Sequence, residues 1–215
     1  MTSEPTIIVG AGGHGRVVLD ILRAGGKYVV AGFVDADPAL AGNEVAGLPV
    51  FGHINILPRL RQKKIRLAIV GIGDSAPRES YAKVLVEHGF VLINAIHPSA
   101  VIAGGVTLGT NIVVAAGAVV GTESRIEDSA IINTGATVDH ECVVGRASHI
   151  CPGASLAGKV TVGPRAFVGL GARVIQCLNI GEGAIVGAGC VVIRDVPPGV
   201  TVVGVPGRIV KTNPL

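Results

Sequence analysis

The chain has 215 residues, room for one large domain or two modest ones, and a formal net charge of +3. Charged residues make up only 15% and aromatic residues 3%, against 32 glycines, which suits a core of Val, Ile and Ala and offers no basic cluster or aromatic ladder for nucleic acid. No apolar stretch is long enough to span a bilayer and the N-terminus has no secretion signal, so a cytoplasmic protein is expected.

Thr6-Ile7-Ile8-Val9 reads as a buried strand. Gly10-Ala11-Gly12-Gly13-His14-Gly15 follows, then a helix with Val17, Val18, Ile21 and Leu22 on one face, ended by Gly25-Gly26. Tyr28 to Val34 is a second strand, finishing at Asp35; Leu67 to Ile72 is a third, ending at Gly73-Asp74. Arg78 to His88 is a helix with Tyr81, Val84 and Leu85 inward, and Phe90 to Ile93 is a last strand. Strands alternating with helices predict a small parallel α/β domain over residues 1–95. The glycine loop fits G-x-G-x-x-G with Asp35 twenty residues beyond it, the dinucleotide fingerprint. The domain is too short for the two βαβαβ halves that hold a whole dinucleotide. A nucleotide-linked substrate suits half a Rossmann unit better than a nicotinamide cofactor, since small residues at a helix N-terminus let backbone amides approach an anion.

From residue 96 onward the rhythm changes to six. Ile96, Ile102, Leu108, Val114 and every sixth residue to Val192 are aliphatic, and four positions after most of them sits a small residue such as Ala118, Ser124, Ala136, Cys142 or Cys190. A fixed short period is the signature of a solenoid, whose repeats bury their apolar side only by stacking. Three short strands and three corners make one triangular coil of eighteen residues, giving five to six coils in a domain over 96–215. Gly109, Gly121, Asn133, Gly145, Gly163, Gly169, Gly181 and Gly187 are expected to supply positive φ at corners. The four cysteines, Cys142, Cys151, Cys177 and Cys190, have no CxxC pairing and read as reduced packing residues.

The hexad run resembles the hexapeptide-repeat acyltransferases, whose domain is a left-handed parallel β-helix. Joined to a Rossmann-like half domain bearing Gly-x-Gly-Gly-His-Gly, the whole chain resembles the sialic acid O-acetyltransferase-like family, which includes acetyltransferases acting on the 4-amino group of UDP-bacillosamine precursors and of GDP-perosamine. Asn133-Thr134-Gly135-Ala136-Thr137-Val138-Asp139-His140-Glu141-Cys142 is similar to the family's catalytic segment, and Gly204-Val205-Pro206-Gly207-Arg208 to its closing Gly-x-Pro-Ala motif, with Gly207 in place of alanine. The resemblance implies an N-acetyltransferase with acetyl-CoA as co-substrate and no metal. It implies a nucleotide-linked amino sugar in the cap and a homotrimer with active sites between subunits. Gly12, Gly13, His14, Asp35, Ala36 and Gly73 would hold the nucleotide sugar, with Asp74 and Arg78 as further candidates. His149, Leu170 and Ala188 would meet the cofactor. Arg165, Arg173, Arg194, Arg208 and Lys211 are candidates for its phosphates.

His140 lies two residues past the inward Val138, so its ring is expected to point out of the prism. Acetyl transfer to an amine needs a group to accept the amine's proton, and a neutral imidazole suits that task. Asp139 and Glu141 both flank it; a carboxylate beside an imidazole raises its basicity. The resemblance gives that role to Glu141 and a pocket-shaping role to Asn133. A backbone amide near Gly158 is one candidate for the oxyanion donor. An O-acetyltransferase would use the same base on a hydroxyl. A metal-dependent hydratase would need three converging histidines, and the spacing of His97, His140 and His149 does not suggest one site. A non-catalytic nucleotide-sugar sensor would not need the Asn133, His140 and Glu141 set.

Overall fold

The structure, a computed structural model, describes residues 4–212. The chain divides into two compact units, Met1–Pro98 and Ser99–Leu215.

The first unit is built on a four-stranded parallel sheet. Its strands are β1 (Pro5–Val9), β2 (Val29–Val34), β5 (Leu67–Val70) and β6 (Val91–Leu92), in the order β2-β1-β5-β6. β1 and β5 are continuous apolar runs because both faces of the sheet are covered. Helix α1 (Gly13–Gly25) follows β1 and buries Val18, Leu19, Ile21 and Leu22. Val17, expected on the same face, is 40% exposed, because it falls at the edge of the apolar stripe. Gly26 at φ 64° caps α1, its N–H donating to the Leu22 carbonyl at 3.2 Å. Helix α3 (Ser75–Glu87) starts three residues earlier than the sequence suggests, because the Asp74 carboxylate accepts from Ala76 N–H. It buries Arg78, Glu79, Ala82 and Leu85, whereas Tyr81 and Val84 are only half-buried. The stretch between β2 and β5 holds elements not read from sequence: the hairpin β3 (Glu44–Val45) and β4 (Leu48–Pro49), then helix α2 (Leu57–Gln62), whose Leu57 and Leu60 join Ile7, Val70, Leu85 and Phe90 in one core.

The sheet order reverses direction at β1. The chain leaves β1 toward β2 on one side, and returns as β5 on the other. Loops at the carboxyl ends of these strands part there and leave a crevice, the usual ligand position of an open parallel sheet.

The second unit is a parallel β-solenoid. Two-residue strands pair in register with the strand eighteen residues on, as in Val120 with Val138, Val138 with Leu156, Leu156 with Val174 and Val174 with Val192. These ladders make three sheets, one six and another five strands deep. The hexad aliphatics from Val114 to Val192 are buried, and so are the small partners Ala118, Ser124, Ala136, Cys142 and Cys190. Ile102 and Leu108 in the first coil are only half-buried.

The corners differ from expectation. Left-handed φ occurs two residues later than the expected positions, at Asn111, Glu123, Gly135, Ala147, Arg165, Gly171, Gly183 and Gly189. Asn133 is not among them. The glycines at 109, 121, 145, 163 and 169 answer a different demand, close stacking. A Cβ on Gly145 would stand 2.7 Å from the Val162 carbonyl oxygen and 2.8 Å from Gly163 C, in the next coil. Cys177 also departs from expectation: it is exposed at a left-handed corner, while Cys142, Cys151 and Cys190 are buried and all four are free thiols.

Gly145→Ala should therefore overpack the stack and cost about 1–3 kcal/mol. Urea unfolding reads this as a lowered midpoint at constant slope; an unchanged midpoint would show that the coils can part without cost.

Candidate functional site

In the first unit, a cavity of about 270 Å³ opens at the crevice, lined by Gly10, Gly12, Gly13 and His14 after β1, Val34, Asp35 and Ala36 after β2, Gly71, Ile72 and Gly73 after β5, and by Ile54 and Tyr81. All six residues expected to hold a nucleotide sugar line it. Ile54 and Tyr81 were not foreseen. Ile54 lies in a stretch with no helical or strand periodicity, and Tyr81 reads equally well as a core residue.

The glycines here fall into two groups. A Cβ on Gly71 would stand 2.7 Å from Gly15 Cα, and one on Gly10 would stand 2.8 Å from Ile72 Cγ1, so Gly10, Gly15 and Gly71 let α1 and the two strands close together. Gly12, Gly13 and Gly73 differ: a Cβ on any of them would meet no atom within 4 Å, and none has left-handed φ. The fold does not require glycine at these three positions, all on the cavity wall. Their bareness keeps space and backbone N–H groups open to a ligand.

Asp35 is half-buried and fixed at both oxygens. Oδ2 accepts from Ala11 N–H at 2.6 Å and Oδ1 from Asp37 N–H at 2.9 Å. Its carboxylate thus ties the glycine loop to the turn after β2 while lining the cavity. His14 stands in the first turn of α1. Burial, and secondarily the charge of Arg78, push its pKa down to about 4, so the ring is neutral at physiological pH. Any positive potential it offers an anion comes from the helix terminus, not from an imidazolium.

In the second unit, His140 follows the strand Thr137–Val138 at the corner leading to Val143–Val144, and its side chain is 48% exposed. Nδ1 is 2.9 Å from Glu141 Oε2. That hydrogen bond, with Lys159 nearby, lowers the Glu141 pKa against a smaller opposing effect of desolvation. An ionised Glu141 accepts a hydrogen bond from Nδ1–H, so Nε2 is left as the imidazole's acceptor. Asp139 turns its carboxylate onto the backbone N–H of His140 at 2.8 Å and so serves the corner. The other Glu141 oxygen lies 3.5 Å from Lys159 Nζ. Lys159 was missed from sequence, although its position eighteen residues past Glu141 stacks it on the next coil.

Gly158 lies in the same way above His140. A Cβ there would fall on the imidazole ring, 2.5 Å from Cε1. The bare Cα makes the shelf on which the ring rests. At the coil below, the corresponding N–H is that of His140, capped by the Asp139 carboxylate; the methyl side chain of Ala157 in the equivalent place cannot cap, and the Gly158 N–H donates to no group among the described residues. Cys142, next to Glu141, is fully buried with Sγ donating to the Ala157 carbonyl, and burial raises its pKa, so it is no nucleophile.

Asn133 and His149 belong elsewhere on the prism. Asn133 sits at the preceding corner, its Nδ2 3.0 Å from His149 Nε2, and the His149 ring meets Phe167 edge to face at 5.4 Å. Leu170 and Ala188 are exposed on that corner, one coil apart, linked by Gly189 N–H to the Leu170 carbonyl. Of the expected phosphate-binding cations, Arg165 pairs with Glu182, while Arg194 and Arg208 line a second depression of about 230 Å³. The candidate residues of one chain therefore fall into two groups at different corners, His140 with Glu141 at one and Asn133, His149, Leu170 and Ala188 at another. Among the described residues no three His, Cys, Asp or Glu side chains gather as a metal site, and no helix is long and apolar enough to cross a membrane.

Comparison with known proteins gives consistent results. Residues 6–85 match the PglD N-terminal domain. A GDP-perosamine N-acetyltransferase of Escherichia coli O157:H7 is 31% identical over 157 residues, 70% of this chain and 69% of that protein. The crystal structure of PerB from Caulobacter crescentus, in complex with CoA and GDP-perosamine, is 48% identical with a TM-score of 0.92, covering 98% of this chain and 99% of that one. The acetyltransferase domain of PglB from Neisseria gonorrhoeae FA1090, in complex with acetyl coenzyme A, is 35% identical with a TM-score of 0.89, covering 97% and 100%.

The depressed His14 pKa carries a sign. Protons bind the unfolded chain first, so the stability held by a neutral His14 is complete above pH 6.5 and is lost as pH falls toward 4. Relative to His14→Gln, the native chain should lose up to about 3 kcal/mol across that window. Urea melts at both ends read the difference, and parallel pH profiles for the two proteins would refute it.

Proposed function

The chain belongs to the nucleotide-sugar N-acetyltransferase family that includes GDP-perosamine N-acetyltransferase, and from that premise we propose that it transfers the acetyl group of acetyl-CoA to the 4-amino group of a GDP-linked amino-dideoxy sugar. The observation that carries the reading is the pairing of His140 Nδ1 with Glu141 over a glycine shelf, in a chain whose first unit leaves three bare glycines around a cavity of about 270 Å³. GDP is favoured over UDP by the 48% identical enzyme solved with GDP-perosamine. Gly12, Gly13, His14, Asp35, Ala36 and Gly73 hold the nucleotide in this proposal.

The sugar nitrogen attacks the thioester carbonyl carbon and its N–H proton passes to His140 Nε2. The negative charge on the carbonyl oxygen is met by the open Gly158 N–H. Collapse of the tetrahedral adduct breaks the C–S bond, and the thiolate leaves as CoA after taking up the proton. Glu141 holds the imidazole in the needed tautomer and stabilises the imidazolium that forms. With the neighbouring thiol buried and protonated, the route is direct attack rather than an acyl-enzyme.

The separation of the two half-sites supports a homotrimer, in which one subunit's His140 corner meets the next subunit's Asn133, His149, Leu170 and Ala188 corner. The outer face beside that second corner carries Phe167 and Ile185, 39% and 38% exposed and stacked in register. Apolar pairs of this kind are suited to burial against a copy of the chain. A cytoplasmic location and a place in surface-glycan biosynthesis are parts of the same proposal.

The test is acetyl-CoA with GDP-, UDP- and dTDP-linked 4-amino and 4-hydroxy sugars, followed by thiol release. Transfer to the GDP-linked amine is expected; transfer to hydroxyls alone would overturn N-acetylation. His140→Asn should lose roughly 10²–10⁴-fold in kcat with the fold kept. Gly158→Ala should lose on the order of 10²-fold by displacing the ring. Light scattering should give three times the chain mass, and a monomer mass would refute the split site.

A further inference from the structure

Arg78 is fully buried, the largest side chain so enclosed, and nothing in the acetyl-transfer chemistry uses it. Its complete burial removes it as a direct ligand of a phosphate. Near the start of α3, its Nη1 donates to two successive carbonyls, Ile72 at 3.0 Å and Gly73 at 2.6 Å. Burial lowers its pKa to about 10, with Asp74 and Glu79 opposing that shift, so it remains a cation at neutral pH. A charged donor on a carbonyl makes a stronger bond than a neutral one.

The consequence lies on the far side of those peptides. A trans peptide unit is planar, and its C=O and the N–H of the next residue point in opposite directions. Two carbonyls turned onto the guanidinium therefore send the N–H groups of Gly73 and Asp74 away from it. Neither N–H donates to another group among the described residues. Gly73 lines the nucleotide cavity with open space where a side chain would be. The Asp74 carboxylate is turned back onto Ala76 N–H. Successive unpaired N–H groups in a turn form an anion-binding concavity.

We propose that Arg78 is a positioning residue for the substrate's diphosphate. It fixes the turn after β5 so that Gly73 and Asp74 present their N–H groups to phosphate oxygens, without itself touching the substrate. This inference rests on the nucleotide-sugar reading above and adds a second anion-facing wall to the one made by the glycine loop.

The test uses the full chain and GDP as the probe. In calorimetry, Arg78→Met should bind GDP roughly tenfold or more weakly than the native chain, and Arg78→Lys should recover part of the loss. In steady-state assays, Arg78→Met should raise KM for the nucleotide sugar and leave KM for acetyl-CoA unchanged. In the native protein, the amide resonances of Gly73 and Asp74 should shift on GDP saturation, a readout that needs no variant and decides the matter if Arg78→Met does not fold. Native-like GDP affinity in folded Arg78→Met, or unmoved Gly73 and Asp74 amides in GDP-saturated native protein, overturns the inference and leaves the substrate reading standing. A native chain that binds neither GDP nor UDP overturns both.

Discussion

Each coil of the solenoid is held only by the coils above and below it, through parallel pairs eighteen residues apart and an inward column of aliphatic side chains. The register of that stack fixes everything attached to it. It sets His140 below Gly158 and Glu141 below Lys159, and it decides which glycines are needed for contact between corners. An imidazole on a freely moving loop would have to be ordered by its ligand. Here the backbone around it is clamped from both sides: Asp139 N–H donates to the Leu156 carbonyl in the coil above, and Glu141 N–H to that of Thr122 in the coil below. The geometry proposed for catalysis is thus a by-product of the same hydrogen bonds that make the fold.

The cap solves a different problem by similar means. A doubly wound sheet opens a crevice wherever its strand order reverses, and the chemistry of the walls is then a matter of what is left out. Gly10, Gly15 and Gly71 are absent side chains that bring helix and strands together. Gly12, Gly13 and Gly73 are absent side chains that keep backbone donors uncovered. Asp35 and Arg78 play matching parts on opposite sides of β1, one anion and one cation, each spent on holding backbone and not on solvent.

Much of this was legible in the sequence, for physical reasons that also explain the gaps. The hexad period shows through because every inward position faces the same column, so Ile, Val and Leu recur without a break. The glycine loop and Asp35 were legible because their spacing follows the fingerprint of a strand-to-helix turn that meets a nucleotide. The region from Ala36 to Arg66 was not, since its short hairpin and six-residue helix are too brief to display a period. The placement of left-handed corners was misjudged by two residues: glycine marked close contact between coils, while Glu141, Lys159 and Arg165 accept left-handed φ where the stack imposes it. Gly158 carried a signal that only register reveals, since eighteen residues separate it from the ring it supports. Arg78 read as a further candidate for holding the nucleotide sugar, and only its burial points to a place behind the wall.

A stack of identical rungs is also a ruler. Neighbouring strands in any sheet stand about 4.8 Å apart, so a group three coils above His140, such as Arg194, is held at a height that can change only in whole rungs. Evolution of this scaffold toward a longer or shorter acyl carrier cannot proceed by gradual stretching. It must insert or delete eighteen residues at a time, or relocate a side chain by one full period.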